Sequence, residues 1–332
     1  MHKYLRAIGF SEPFDRSDLE DMLQETLNNP TYRTYTTKDD ESDALFAEFR
    51  LDCGGDFGIT VCGEFNADEQ FSFEYYFPYL YTGHVSSYED CSVERRVDNL
   101  SFSGICDDLK VGVTIIFRLI NRTEFLKHCA EEEFFRWHYR DMSDSASEDI
   151  PSGFAAGIPG DAPFGSQSGY PRTGAVSVSL SALSVEGTVM MPIMKSEADI
   201  AASQRQTVDR LKLMNAARQG DEDAIRDLTM SDMDNYNVIL DRIQQEDLYS
   251  LVDTSFMPYG VECDLYSVLG EIVSVESTSN RFTGEMLYKM VIACNDLEFD
   301  LLISQKDLYG EPEAGRRFKG VVWMQGTIQY PV

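Results

Sequence analysis

Residues 307–326 read DLYGEPEAGRRFKGVVWMQG and form the most patterned stretch of this 332-residue chain. Glycines and a proline surround a double arginine, and an apolar run typical of a β-strand follows directly. We predict that this run is the closing strand of a small β-barrel, after a loop shaped by Gly310, Pro312 and Gly315. The basic segment GRRFK, residues 315–319, is then either a binding site or part of the turn that precedes this strand.

The preceding residues supply the other strands of this unit. A long apolar pattern over 265–277 is interrupted by Gly270, and two further β-rich runs are joined by Asn295-Asp296, a two-residue hairpin signal. Short strands with a loop before the last pair predict an OB-like β-barrel over residues 259–332. An SH3-like barrel and a plain meander remain the alternatives.

The first part of the chain has both helix and strand signals. Ser17 and Glu20 have the spacing of a capping box and predict the start of a helix. Two β-rich runs are split by Gly54-Gly55, which indicates a hairpin, and the β-branched run 111–120 predicts a strand buried on both faces. We therefore predict an α+β fold class, with an N-terminal α+β domain over residues 1–141.

Between these two units the composition changes. Residues 142–173 are rich in Ser, Gly and Pro and predict a flexible linker, because little in them could bury a core. Residues 174–258 follow with a short β piece, in which Glu186-Gly187 predicts a turn, and then a helical connector over 196–255.

The balance of charge restricts the partners. Asp and Glu number 57 against 28 Lys and Arg, a formal net charge of −29. Such an acidic surface repels phosphate backbones and anionic lipid, so we expect neither nucleic acid nor membrane as a partner. No apolar run reaches the 18 residues that suggest a membrane span. The odd count of seven cysteines, without a C-x-x-C pair, predicts reduced thiols and a cytoplasmic location.

The sequence motifs that would indicate a phosphate-binding loop or a metal site are incomplete. The glycines of CGGDFG, residues 53–58, lie between two strands and lack the spacing of a phosphate loop. His128 and Glu131 are three residues apart on a predicted helix, a spacing that could face one metal ion but that an acidic chain produces by chance. We therefore expect no metal and no cofactor, and the sequence assigns no catalytic residue.

The basic run near the C-terminus is the remaining candidate binding surface. Its members would be two arginines, a lysine and two aromatic rings that could stack on bases: Arg316, Arg317, Phe318, Lys319 and Trp323. Successive side chains of a strand point to alternate faces, so Phe318 and Trp323, five residues apart, should lie on opposite faces. This spacing argues against a single stacking surface formed by both rings. Neutralisation of nearby acids is the preferred interpretation of the basic residues.

Several long phrases together resemble a known family. They are MHKYLRAIGF, FSFEYYFPYL with SSYEDCSVERR, SGICDDLKVGVTIIFRLINRTEFL, FMPYGVECDLYSVLGEI and DLYGEPEAGRRFKGVVWMQG. The chain is similar in these phrases to domain-of-unknown-function family 3881 of clostridial bacteria. The resemblance implies a bacterial cytoplasmic protein of no established activity, and it supplies no catalytic residues.

Three functional hypotheses follow. The preferred one is a non-enzymatic interaction or regulatory module that binds an unknown protein partner or associates with itself. The first alternative is a small-molecule hydrolase with a site in the N-terminal domain, sought around Glu74, His84 or Arg95. The second alternative is an OB-type binder of single-stranded nucleic acid that uses the basic run.

Overall fold

The structure is a computed structural model that describes most of the chain outside its middle. The described residues are 1–37, 45–89, 91–98, 100–108, 113–129, 177–193, a scattered set between 212 and 230, 252–295 and 297–330. The predicted linker at 142–173 lies outside them, as does most of the predicted helical connector. The described residues 212–214 of that connector are helical.

The chain opens with two short helical elements. A 3-10 helix spans Lys3–Ile8 and ends at Gly9, and helix α1 spans Arg16–Asn28. The capping box of α1 is formed by Asp15 and Asp18, so the prediction that Ser17 caps the helix was wrong by two residues. The carboxylate of Asp15 accepts from the backbone of Ser17 and Asp18, which are donors that the first helical turn leaves unpaired.

Four strands then form an antiparallel meander, called here the first sheet. They are β1 (Tyr32–Thr37), β2 (Leu45–Asp52), β3 (Phe57–Phe65) and β4 (Phe71–Leu80). The predicted hairpin at Gly54-Gly55 is confirmed between β2 and β3. Gly55 has a φ of 103°, and Asp52 Oδ1 accepts from the backbone N–H groups of both glycines.

The remaining strands form a second, larger sheet. They are β5 (Cys91–Arg95), β6 (Phe102–Cys106), β7 (Ile115–Leu119), β8 (Ser177–Met190), β9 (Ser255–Pro258), β10 (Leu265–Ser279), β11 (Met286–Cys294), β12 (Leu297–Ser304), β13 (Leu308–Tyr309) and β14 (Arg317–Gln329). A 3-10 helix at Gln305–Asp307 precedes β13, and residues 122–129 after β7 are helical.

Five of these strands close into a barrel. The order around it is β8, β12, β11, β10 and β14, and β14 returns to pair with β8. An α+β chain with a small β-barrel is thus confirmed. The barrel takes β8 from the segment that the sequence placed before the helical connector, and β7 extends it by a parallel pairing with β14. The domain boundaries stay predictions.

Gly187 has a different role from the predicted one. The sequence suggested a turn at Glu186-Gly187, but β8 runs unbroken through both residues, so that prediction was wrong. Gly187 lies opposite Gly320 of β14, and a Cβ atom on Gly187 would stand 2.4 Å from the ring of Phe318. The glycine therefore permits a close approach of strands and rings rather than a reversal of the chain.

The buried apolar side chains of the described residues form three clusters. One core cluster fills the barrel and its extension, with Phe318 and Met324 among its members. A second core lies between the outer barrel face, the first sheet and the 3-10 helix, and contains Trp323 and Phe77. A third, smaller cluster joins α1 to the far face of the first sheet. Within the described residues, no helix has the length and apolar character that crossing a membrane requires.

Candidate functional site

The basic run predicted as a binding surface is integrated into the barrel. Arg316 forms an ion pair of 2.9 Å with Glu313, and Arg317 is buried and donates to the carbonyls of Met191 and Val252. Lys319 is partly buried on the same strand. These contacts favour the interpretation of GRRFK as a turn and strand start.

The two aromatic rings of that run face opposite layers. Phe318 is fully buried inside the barrel, whereas Trp323 is 4% exposed in the core between barrel and first sheet. Stacking on a base needs an open ring face, and neither ring offers one.

Two of the residues sought for a hydrolase, His84 and Arg95, have separate partners. His84 lies 3.2 Å from Glu298 in a half-exposed pair, and Arg95 is exposed beside the ring of Phe102. Within the described part of the chain, no group of three or more His, Cys, Asp or Glu is arranged to hold a metal ion.

A polar layer between the two sheets provides a different candidate. Its centre is Arg118 on β7, which lies opposite Ser103 of β6 and Gln325 of β14. Opposed residues of paired strands project to the same side of a sheet, so all three face the first sheet. The Gln325 amide donates to the carbonyl of Pro78 and accepts from the N–H of Leu80, which fixes β4 above this layer.

The guanidinium of Arg118 packs against two aromatic rings of β4. Its central carbon lies 4.8 Å from the ring centroid of Phe77 and 5.3 Å from that of Tyr75. The two ring centroids are 6.1 Å apart, so both rings lie on one side of the guanidinium and leave its N–H groups for other partners. Part of the residue remains open to solvent.

Two polar atoms at this centre lack partners. Arg118 Nε and Ser103 Oγ are buried, and neither has a hydrogen bond to any described residue. The whole Arg118 guanidinium makes no hydrogen bond or ion pair within the described part of the chain. Burial and then the nearby charge of Arg96 lower the pKa of Arg118. Buried polar atoms are nearly always paired in folded proteins, so this arrangement calls for an explanation.

A second arginine lies in the same layer. Arg122 is 3% exposed, packs 3.8 Å above the ring of Phe46, and donates to the hydroxyl of Tyr75 at 2.9 Å. Its Nε has no partner among the described residues, and no described carboxylate forms an ion pair with it. Tyr75 therefore connects the two arginines of the layer.

Other charges nearby are neutralised. Glu48 forms a buried ion pair with Arg50, and its second oxygen accepts from Thr123 at 2.9 Å. Asp264 accepts from both Arg96 and Trp323. Arg118 and Arg122, in contrast, form no ion pair among the described residues of the layer, and Asp98 acts on Arg118 only through its charge.

The first residues of the chain form the edge of the layer. The ring of His2 lies 4.8 Å from that of Trp323, and its backbone N–H donates to the hydroxyl of Tyr76. Burial, followed by the charge of Arg118, lowers the pKa of His2 to about 4, so its imidazole is neutral at pH 7. His2 Nδ1 accepts from the backbone of Tyr4 at 3.3 Å. The single proton of the neutral ring therefore resides on Nε2, which is a donor.

The thiol within the layer is not activated. Burial raises the pKa of Cys62 to about 12, so this cysteine is protonated at pH 7. The described groups of the layer are therefore mainly hydrogen-bond donors, and their chemistry suits binding of an acceptor.

Sequence reasoning did not single out this layer. Its signal was present in the run 111–120, which the sequence predicted as a strand buried on both faces although it contains Arg118. A single charged residue in such a run must either meet a partner or line a site. Ser103 and Tyr75 gave no comparable signal, because their proximity depends on strand pairing across the fold.

Comparisons with known proteins add a family but no activity. The family model described as "Domain of unknown function, E. rectale Gene description (DUF3881)" matches residues 5–326. Neither the curated proteins nor the solved structures yield a match. Since the matched range includes both sheets and nearly the whole chain, the chain belongs to the DUF3881 family.

Proposed function

We propose that this chain is a non-enzymatic interaction or regulatory module that holds a small ligand in the polar layer between its two sheets. The observation that carries the proposal is the pair Arg118 and Ser103, whose buried polar atoms have no partner in the described part of the chain. An unpaired buried hydrogen-bonding group costs about 1–3 kcal/mol, and a charged one costs more. A bound ligand that supplies the missing partners would remove this cost.

Binding is favoured over catalysis by the protonation states of the layer. The Cys62 thiol is protonated, and the His2 ring uses its acceptor nitrogen for the backbone of Tyr4. A nucleophile needs an adjacent base that can take its proton. Neither group is prepared for that role.

The wider setting belongs to the same proposal. All seven cysteines are reduced thiols, five of them buried, which fits a bacterial cytoplasm. The strongly acidic composition fits a module that meets a protein partner or a second copy rather than nucleic acid. The division into an α+β unit, a helical connector and an OB-like barrel is retained here as the working layout.

Native mass spectrometry tests ligand binding. The full chain is purified gently with a C-terminal tag, because His2 packs against Trp323. A mass excess that disappears on denaturation is expected for the wild type and is reduced in Ser103→Ala. Compounds from a metabolite panel that raise the melting temperature of the wild type give the same information. The absence of both signals would overturn the proposal.

A second assay addresses the hydrolase alternative. The same preparation is incubated with generic esterase, phosphatase and nuclease substrates. No turnover is expected. Turnover that decreases in a Ser103→Ala variant would show that the polar layer is catalytic and would contradict the proposal of a non-enzymatic module.

A further inference from the structure

We propose that the ligand of the polar layer is an oxyanion, a carboxylate or phosphate group, that approaches the N–H edge of Arg118 and accepts a second hydrogen bond from Ser103. This inference deepens the proposed function and rests on it. It specifies the chemical class of the ligand and the two residues that recognise it.

The positive charge of the layer favours an anionic ligand. The pairs Glu48 with Arg50 and Asp264 with Arg96 are each neutral, whereas Arg118 and Arg122 have no ion pair among the described residues. A buried cation is normally paired with a counter-charge. A negative ligand supplies that charge, while a cation or a neutral molecule does not.

The carboxylate of Asp98 lies close enough to Arg118 for their charges to interact. Burial alone would raise the pKa of Asp98, but hydrogen bonds from Ser101 and Leu100, followed by the charge of Arg118, outweigh it and lower that pKa. The Ser101 hydroxyl donates to Asp98 at 2.6 Å, and the N–H of Leu100 adds a bond of 2.9 Å. No ion pair joins Asp98 to Arg118 in the described part of the chain. Asp98 therefore offsets part of the Arg118 charge without occupying its N–H donors.

The geometry selects the direction of approach. Phe77 and Tyr75 lie on one side of the Arg118 guanidinium and do not occupy its N–H donors. Two oxygens of a carboxylate or phosphate match the edge that carries these donors. Ser103 is the directly opposed residue on β6, and Cβ atoms of such pairs lie about 4.5–5.5 Å apart. One small oxyanion can thus reach both side chains.

The depth of the site restricts the size of the ligand. Ser103 is 6% exposed and Arg122 is 3% exposed. The surrounding surface belongs to a chain with a net charge of −29. A polyanion such as nucleic acid would have to bring many charges against that surface, so a free or terminal carboxylate or phosphate fits better.

Thermal shift and calorimetry with simple probes test the inference. The C-terminally tagged full chain is titrated with sodium acetate, with inorganic phosphate and with neutral acetamide, at constant ionic strength set with chloride. At least one oxyanion is expected to raise the melting temperature, as ligand binding to the native state does, and acetamide is not. The acetate and phosphate arms distinguish the two sources of the oxyanion.

Variants connect the effect to the site. Ser103→Ala is expected to weaken binding of the active probe two- to tenfold, and Arg118→Met on the order of tenfold to a hundredfold. The control Arg316→Met removes an arginine that pairs with Glu313 outside the site and should leave the affinity unchanged.

The outcomes separate the two proposals. If neither acetate nor phosphate raises the melting temperature of the wild type, the oxyanion inference is overturned, while the binding module still stands on a mass excess in the native spectrum. A neutral compound that stabilises the wild type but not Ser103→Ala would retain the binding module and exclude the oxyanion. Equal shifts by acetate in the wild type and Ser103→Ala would also exclude it.

Discussion

The indole Nε1 of Trp323 donates a hydrogen bond of 3.0 Å to Oδ2 of Asp264, and the same oxygen accepts from Arg96. Asp264 is 2% exposed and immediately precedes β10. One carboxylate therefore connects β14, the start of β10 and the loop after β5. This arrangement assigns Trp323 a structural role in the core.

Substitution of Trp323 by Phe should destabilise the fold by about 1–3 kcal/mol, because it removes one hydrogen bond to a buried carboxylate and part of the packing. Urea denaturation followed by circular dichroism measures the change. Arg316→Met serves as the control at an ion pair just before the same strand and should change stability by less than about 1 kcal/mol. A Trp323→Phe variant as stable as the wild type would contradict this role.

The nucleic-acid alternative can be tested through the same residue. Trp137 and Trp323 are the two tryptophans of the chain, so Trp137→Phe leaves Trp323 as the sole indole reporter. Oligo-dT added at low salt should leave its fluorescence unchanged, because the ring is buried. Salt-sensitive quenching would show that bases reach the ring and would restore that alternative.

Acid should destabilise the fold in part through His2. The pKa of His2 is about 4 in the folded chain, mainly because of burial, against an ordinary value of 6.5. Between these values the unfolded chain binds more protons, so stability rises with pH across the window and is lost on acidification. The contribution of His2 is at most about 3 kcal/mol.

Melting curves at pH 4.5 and 6.5 for the wild type and His2→Gln measure this contribution. The carboxylates titrate in both proteins, so the difference between the two pH slopes isolates His2. A shallower slope is expected for His2→Gln. Identical slopes would show that His2 titrates normally in the folded chain.

The buried pair Glu48 and Arg50 predicts strong coupling. Glu48→Gln should cost about 3 kcal/mol, since it leaves the Arg50 charge without its partner. The double variant Glu48→Gln with Arg50→Met should cost less than the sum of the single variants, because no unpaired charge remains. Chemical denaturation of all four proteins gives the coupling energy. Additive costs would mean that the two charges do not interact.

Gly9 provides a test of packing between the N-terminal turn and the loop that follows β10. Its φ is 91°, and a Cβ atom would lie 2.8 Å from Cβ of Asn280, whose amide donates to the carbonyl of Ile8. Gly55 has a φ of 103° with no atom within 4 Å of the same position. The Gly55→Ala substitution therefore measures only the cost of a left-handed backbone at a residue that has a Cβ atom, which is about 1–2 kcal/mol. Gly9→Ala should cost more in thermal melts, and equal costs would contradict the contact.

Local signals in the sequence predicted local structure well. Gly54-Gly55 and Asn295 each lie between strands that pair as hairpins, and Gly55 and Asn295 have positive φ values of 103° and 52°. Such turns depend on the backbone freedom of one or two residues, and those residues can be read directly. The shift of the α1 cap from Ser17 to Asp15 is of the same kind, because both positions offer a suitable side chain.

Contacts between distant segments could not be predicted in the same way. Gly187 looked like a turn because its partners, Phe318 and Gly320, lie more than 130 residues later in the chain. Arg118 looked like part of a buried strand, and only the pairing with Ser103 and the packing against Phe77 define its surroundings. The polar layer depends on strand register, which single-sequence patterns do not specify.

The position of β14 has a consequence for synthesis of the protein. This strand pairs with β7, β8 and β10, and its residue Gln325 also anchors β4 of the first sheet. Neither the barrel nor the interface with the first sheet can be completed before residues 317–329 leave the ribosome. Until then, the edges of β7, β8 and β10 that pair with β14 are exposed in the nascent chain. Its dependence on chaperones should therefore be greatest just before β14 emerges.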